Sequence, residues 1–308
     1  MLTRCWSRHY AVCRAATATH RRFMSNKSAS NSLTGALCVI GDEILSGKTL
    51  DINSFYFAKR CFELGVQVEK IEIVPDQYTS ISDSLQRLSL SHDIVFTSGG
   101  IGPTHDDITY DAVSRAFGSE LAYHEDTLAR MRRIMKSRGV VTMPDPKGTA
   151  EQIAMARMAL FPANAEVVYP CEEYWVPVVS VMGRVHVFPG IPKLFEDLVD
   201  AYLPGLVAGL SGETVLAFTR ALVGIRQRES AIAPTLDKLQ EQYAPMGIKI
   251  GSYPDWVPKK QPTLNEALSD WKPTVVVSVV GKDKKQVEAC RAEICLLLDG
   301  IDLGTNTP

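Results

Sequence analysis

The sequence predicts an α/β protein: a mostly parallel, three-layer αβα sheet domain followed by a smaller α+β domain. Three observations carry that expectation. Continuously apolar runs at 35–40 and 94–96 read as strands buried on both faces, the mark of a parallel sheet. Segments of helical length and spacing separate the strands, as in crossover units. Pro, Gly and Ser at 203–205 and 209–212 then divide off a second group of elements in a different order. The 308 residues suffice for one sizeable domain and one small one.

Asp51 is placed to cap a helix running to Gly65, with Phe55, Cys61 and Phe62 among its apolar residues. Residues 66–73 alternate with period two and read as a strand at the sheet's margin. A helix over 80–89 sets Ile81, Leu85 and Leu88 on one face and leads into the strand at Ile94. Helices are expected over 107–117 and 124–138, a loop near the pocket over 142–150, strands over 173–181 and 184–188, and a closing helix over 193–202. The second domain reads strand 214–222, helix 229–243, strand 247–253, strand 274–280 and helix 283–298. The expected domains are therefore 33–205 and 212–308, after a leader, 1–32.

That leader carries Arg4, Arg8, Arg14, Arg21, Arg22 and Lys27 before the first acidic residue, Asp42. Such a composition suits a mitochondrial presequence or a disordered basic tail. The expected location is the mitochondrial matrix, or the cytoplasm if translation starts at Met24. Over the whole chain 33 basic residues nearly balance 35 acidic ones, so the remainder is acidic and shows no basic stripe with interleaved aromatics. Nucleic acid is not an expected partner. No apolar run reaches the length of a membrane span, so a membrane is not one either. The seven cysteines show no Cys-x-x-Cys pairing and read as reduced thiols, with Cys38 and Cys61 filling the core.

The chemistry concentrates at Thr97-Ser98-Gly99-Gly100-Ile101-Gly102-Pro103-Thr104-His105-Asp106-Asp107-Ile108-Thr109, directly after the strand at Ile94. Glycines let backbone N–H groups approach a phosphate, and Pro103 stiffens the turn. Asp106 and Asp107 then stand where a divalent cation can sit beside that phosphate. The alternative is a plain turn in which Asp106 caps a helix beginning near Asp107. A second strand, 35–40, runs into Gly41-Asp42-Glu43-Ile44-Leu45-Ser46-Gly47-Lys48-Thr49 and repeats the arrangement at the strands' carboxyl edge, where open α/β sheets bind ligands. It is not a P-loop, because Gly41 and Gly47 enclose five residues where that cradle needs four.

Gly41 to Gly47, Asp51 to Ser54 and Gly99 to Thr109 together resemble the molybdopterin-binding (MoaB/Mog) domain family, and more closely its CinA-type branch. Val185-His186-Val187-Phe188-Pro189-Gly190-Ile191-Pro192 looks like the family's strand and Pro-Gly-x-Pro loop closing the same pocket. The likeness continues through Arg228 to Ala233 and Ile250 to Pro254, which resemble the small domain that follows in CinA-type proteins. It extends to pyrophosphatase-like fungal members and to the N-terminal half of eukaryotic FAD synthase.

The resemblance implies metal-assisted attack on a pyrophosphate flanked by adenosine, with FAD, ADP-ribose or a molybdopterin-like molecule as ligand. Asp42, Asp106 and Asp107 are the expected catalytic and metal-holding carboxylates, although Asp42 alone could be the general base. Gly41, Asn53, Ser98, Gly99, Gly100, Gly102, Pro103, Thr104, Pro189 and Gly190 are the expected substrate-binding residues. The expected cofactor is Mg²⁺, Mn²⁺ or Co²⁺, with K⁺ a further candidate.

Longer CinA-type proteins add a deamidase domain, and animal FAD synthases an adenylyltransferase domain. With neither in this sequence, the first expectation is a stand-alone hydrolase splitting FAD into FMN and AMP, and the second a non-catalytic pterin- or nucleotide-binding protein. A third is an interaction module that has kept only the fold. The small domain lacks the Gly-x-x-Gly loop of KH modules, so a homo-oligomer is expected, with that domain as an oligomerisation or pocket-completing element. The family's substrate loop is replaced by Tyr169-Pro170-Cys171-Glu172-Glu173-Tyr174-Trp175, where Tyr174 or Trp175 could stack on a ring or join the core.

Overall fold

A computed structural model describes residues 32–211, 216–254 and 273–306. The expected leader, its last residue apart, and the first two residues of the strand expected at 214–222 lie outside them. The chain divides into two compact units between Val215 and Leu216.

The first unit is built on a six-stranded sheet. Its elements begin with β1 (Thr34–Ile40), α1 (Asp42–Leu45), α2 (Asn53–Glu63), β2 (Gln67–Val74), α3 (Tyr78–Ser91) and β3 (Ile94–Ser98). Then come α4 (Thr109–Ala116), β4 (Leu121–Tyr123), α5 (Glu125–Ser137), α6 (Ala150–Arg157), β5 (Leu160–Pro162) and β6 (Glu166–Val168). The unit closes with β7 (Val178–Val181), β8 (Val185–Phe188) and α7 (Pro192–Ser211).

The sheet order is β2-β1-β3-β8-β7-β6, parallel across the first four strands and antiparallel at β7 and β6. β1 shows why the sheet is covered on both sides. Ala36, Cys38 and Ile40 join one core with α3, α4 and α5, while Leu37 and Val39 join another with α2 and α7. Strand alternation divides a wholly buried strand between two helical layers. Cys38 and Cys61 are buried in these cores, and burial pushes the Cys38 thiol up to about 12.

Several boundaries differ from expectation. The last helix does not stop at Tyr202 but continues through Pro204 to Ser211. Leu203 and Val207 are buried beside Leu198 and Val199, and that packing outweighs the backbone bond a proline forfeits. The strand expected over 173–181 shrinks to β7, because Arg130 takes the carbonyls of Cys171 (3.0 Å), Glu172 (2.8 Å) and Tyr174 (2.8 Å). Tyr174 and Trp175 pack against the core and Tyr174 donates to Asp197 at 2.6 Å, so the core reading of these rings holds. Beyond the loop at 142–150, α6 opens on a capping box between Thr149 and Gln152. That helix and the three-residue strands β4, β5 and β6 are too short for a periodic signal.

The second unit is a four-stranded antiparallel sheet ordered β10-β11-β9-β12, with two helices packed on it. Its elements are β9 (Thr219–Ile225), α8 (Glu229–Tyr243), β10 (Lys249–Pro254), β11 (Val275–Gly281), α9 (Lys284–Leu297) and β12 (Ile301–Asn306). β12 was not among the expected strands. Its residues expose Ile301 and Leu303, so no buried alternation marks it.

Candidate functional site

The four parallel strands end at one edge of the sheet, and each delivers a site segment there. β1 gives Gly41 and Asp42, β2 gives Asp76, β3 gives the loop from Gly99, and β8 gives Pro189 and Gly190. The order β2-β1-β3 makes the gap between β1 and β3 a topological switch point, the place where open α/β sheets bind ligands.

The loop after β3 is shaped by glycine. Gly99 and Gly100 have φ of 110° and 65°, and a methyl group on either would collide with the Ile40 carbonyl or the Thr109 hydroxyl. Thr109 closes the loop from below, its hydroxyl donating to Gly99 O at 2.9 Å and its N–H to Gly100 O at 3.0 Å. Among the described residues, no protein acceptor meets the N–H groups of Gly100, Ile101 or Gly102. Three successive donors without a protein acceptor beside a strand end are an arrangement that suits an anion.

The expected ligand-binding side chains divide into two groups. Thr104 and Pro103 are exposed on the loop, and Gly190 is exposed beside it. Ser98, Asn53 and Pro189 are buried. Asn53 Nδ2 donates to Ser98 Oγ (2.8 Å) and to Gly190 O (2.9 Å), so these side chains stitch the loops together beneath the site. Ser98 Oγ accepts from Asn53 and keeps its own proton to donate; Asn53 Oδ1 is buried without a protein partner among the described residues. Asp51 stands one residue before the N-cap position of α2, Ile52, and accepts from Ser54 N at 3.0 Å.

The three aspartates expected to act together are placed differently from one another. Asp42 and Asp106 are exposed. Asp107 turns back on its own loop, accepting from the N–H of Thr104 at 2.9 Å and from the Thr104 hydroxyl, and lies against Gly102. Asp107 thus closes the turn, while the Thr104 hydroxyl also holds the exposed Asp106 carboxyl below its ordinary range.

A carboxylate absent from the expected set takes part. Asp76 accepts the N–H of Asp42 at 2.8 Å. Burial raises its pKa, and the charges of Asp42, Glu43 and Asp106 raise it further against the bond from Asp42. Asp76 stands just past β2 as Asp42 stands just past β1, a shared position that only the pairing of the two strands reveals.

Asp42, Asp76 and Asp106 are the oxygen donors a hard cation takes. Yet among the described residues no group of three or more His, Cys, Asp or Glu could hold a metal ion by itself. The expected trio is therefore not a ready-made cage: Asp107 holds Thr104 through Oδ2, while Asp42 and Asp106 stand exposed. Mg²⁺ commonly uses one or two carboxylates and completes its shell with water and substrate phosphates. These residues fit a cation that arrives with a phosphate ligand.

With that geometry, comparison with known proteins becomes decisive. Residues 36–208 match the probable molybdopterin binding domain, and residues 217–303 match the middle domain of FAD synthase. The chain belongs to the molybdopterin-binding domain family, in its CinA-type branch. A probable FAD synthase of Caenorhabditis elegans is 29% identical over 235 residues, 72% of this chain and 44% of that protein. A CinA-like protein of Myxococcus xanthus is 35% identical over 205 residues, 64% of this chain and 46% of its own length. The chain thus spans less than half of either relative. Among solved structures, the CinA protein of Thermoplasma acidophilum is 27% identical, with a TM-score of 0.49 over 57% of this chain and 99% of that one. Among the described residues, no helix of this CinA-type protein is long and apolar enough to cross a membrane.

Proposed function

We propose that this protein hydrolyses the pyrophosphate of an ADP-containing nucleotide, with FAD split into FMN and AMP as the first substrate and ADP-ribose as the second. The observation that carries the reading is the nest of Gly100, Ile101 and Gly102, with three N–H donors that meet no protein acceptor among the described residues, at the edge where the charges of Asp42 and Asp106 act on Asp76. Adjacent phosphates accept more of those donors than a single phosphate does, and each such charge-assisted bond is worth about 1.5–3 kcal/mol. Similarity to the FAD synthase middle domain and to probable FAD synthases supports a flavin nucleotide as the ligand.

In the reaction a water oxygen attacks one phosphorus, the bridging P–O bond breaks, and each product leaves as a phosphomonoester. The backbone donors stabilise charge that builds on the phosphate oxygens. Asp42 and Asp106 would hold a divalent cation brought with the substrate, with Asp76 beside them, and Asp42 or Asp76 would accept the water's proton. Such a cation neutralises phosphate charge and lowers the pKa of its bound water.

A second reading, a non-catalytic molybdopterin- or nucleotide-binding protein, is favoured by the missing three-ligand metal group among the described residues. The two part in one assay. FAD, ADP-ribose and a phosphomonoester are incubated with purified protein and Mg²⁺, Mn²⁺ or Co²⁺, with and without chelator. Release of FMN and AMP that chelator abolishes supports hydrolysis; ligand binding without product supports the second reading.

A further inference from the structure

We infer that Arg157 is a positioning residue for the phosphate-facing loop, an inference that builds on the phosphate-binding function proposed above. Its guanidinium spans the turn after the nest: Nη1 donates to Thr104 O and Nη2 to Asp107 O, each at 2.8 Å. The donors sit 53 and 50 residues away in sequence. A planar fork with two parallel N–H groups suits two carbonyls held three residues apart, which a lysine cannot match.

The turn has little else to fix it. Residues 103–106 are exposed. Their ties are otherwise local: the Asp107 carboxylate bonds, the turn bond from Asp107 N to Thr104 O at 3.2 Å, and the contacts of Asp106 with Thr104 and His105. Among the described residues, Arg157 makes the only hydrogen bonds from residues 103–107 to a distant part of the chain. Beside the fork is a cavity of about 20 Å³ lined in part by Ile101, Gly102, Tyr110 and Leu160. A void of that size admits a water molecule and leaves the loop room to shift once the fork is gone.

Arg157 is well placed to carry this load. It is the last residue of α6, whose first turn is pinned by the Thr149–Gln152 box, and its neighbour Ala156 is buried in the core. The helix is thereby anchored at both ends, and the side chain transfers that rigidity to the loop that orients the Gly100 to Gly102 donors and Asp106.

The test compares wild type with Arg157→Gln and Arg157→Lys. In Arg157→Gln, amide hydrogen exchange over residues 100–108 should quicken at least tenfold while β1 and β3 keep their protection, and Arg157→Lys should fall between. The same series should lose at least tenfold in kcat/KM on FAD, chiefly through kcat, with partial recovery in the lysine variant. Unchanged exchange overturns the inference, as does faster exchange with unchanged kcat/KM, which would leave Arg157 merely structural. If wild type proves inactive, the hydrolase reading fails, while exchange and ADP affinity in the three proteins still decide the role of Arg157. If Arg157→Gln does not fold, Arg157→Lys carries the same comparison.

Discussion

The carboxylate of Asp107 accepts the N–H of Thr104 at 2.9 Å and so closes the turn that Asp106 presents to solvent. Adjacent aspartates of one motif thus have separate tasks. Asp107→Ala should cost about 1 kcal/mol, the usual loss with a capping side chain, or a fall of roughly 2–4 °C in Tm for a domain of this size. Asp106→Ala should leave Tm unchanged and lower turnover of an ADP-containing pyrophosphate by about a hundredfold, on the scale of a lost charge contact. Thermal melts and steady-state rates on both variants check this. Equal stability losses would mean that the two side chains share the turn.

Glycine is required at Gly99 for two reasons at once, a φ of 110° and the Ile40 carbonyl oxygen where a Cβ would stand. Gly47 has a comparable φ of 72° but open space around it. Gly47→Ala should therefore cost only the left-handed backbone penalty, about 1–2 kcal/mol. Gly99→Ala must also displace β1 and should cost more, with loss of ADP binding. Denaturant unfolding and calorimetric titration with ADP distinguish them; similar costs at both positions would show that the Ile40 contact relaxes freely.

Much of this site was legible because its determinants are local. A strand ending in Gly-Gly-x-Gly must turn with positive φ, and the apolar runs at β1 and β3 could only be buried on both faces. Asp76 and Arg157 were not legible, because long-range placement sets their roles. β2 pairs with β1 so that Gly41 N reaches Val74 O at 3.2 Å, bringing Asp76 to Asp42. Nothing in Pro75-Asp76-Gln77 distinguishes it from an ordinary turn. The bond from Asn53 to Ser98 Oγ was hidden for the same reason, because the two residues lie 45 positions apart in the chain.

Asn53 holds together two loops that come nearly into contact, since a methyl group on Gly190 would lie 3.1 Å from Gly99 Cα. Asn53→Ala removes two donated bonds and strands Ser98 Oγ and Gly190 O, a loss of about 1–3 kcal/mol. Asn53→Asp places a buried carboxylate against those acceptors and should destabilise further. Both should raise KM as the Pro189–Gly190 segment moves. Urea unfolding that ranks the aspartate variant above the alanine one would refute the donor role assigned to Asn53 Nδ2.

The raised pKa of Asp76 gives the edge a stability signature opposite to that of an ordinary paired carboxylate. Because its native pKa lies above the ordinary value of 3.8, the native state holds this proton more tightly than the unfolded chain does. Its contribution is full below about 3.8 and is lost as pH rises through the native pKa, when the ionised group faces Asp42, Glu43 and Asp106. Asp76→Asn removes the charge and keeps an oxygen to accept the Asp42 N–H. Its Tm should exceed that of wild type at pH 7, and the difference should close as pH falls toward 3.8. Melts of both proteins from pH 3 to 8, without divalent cations, test this. A variant less stable than wild type at pH 7 would mean that the charged bond to Asp42 outweighs the crowding of carboxylates, and that the edge does not hold the excess negative charge from which a cation would gain.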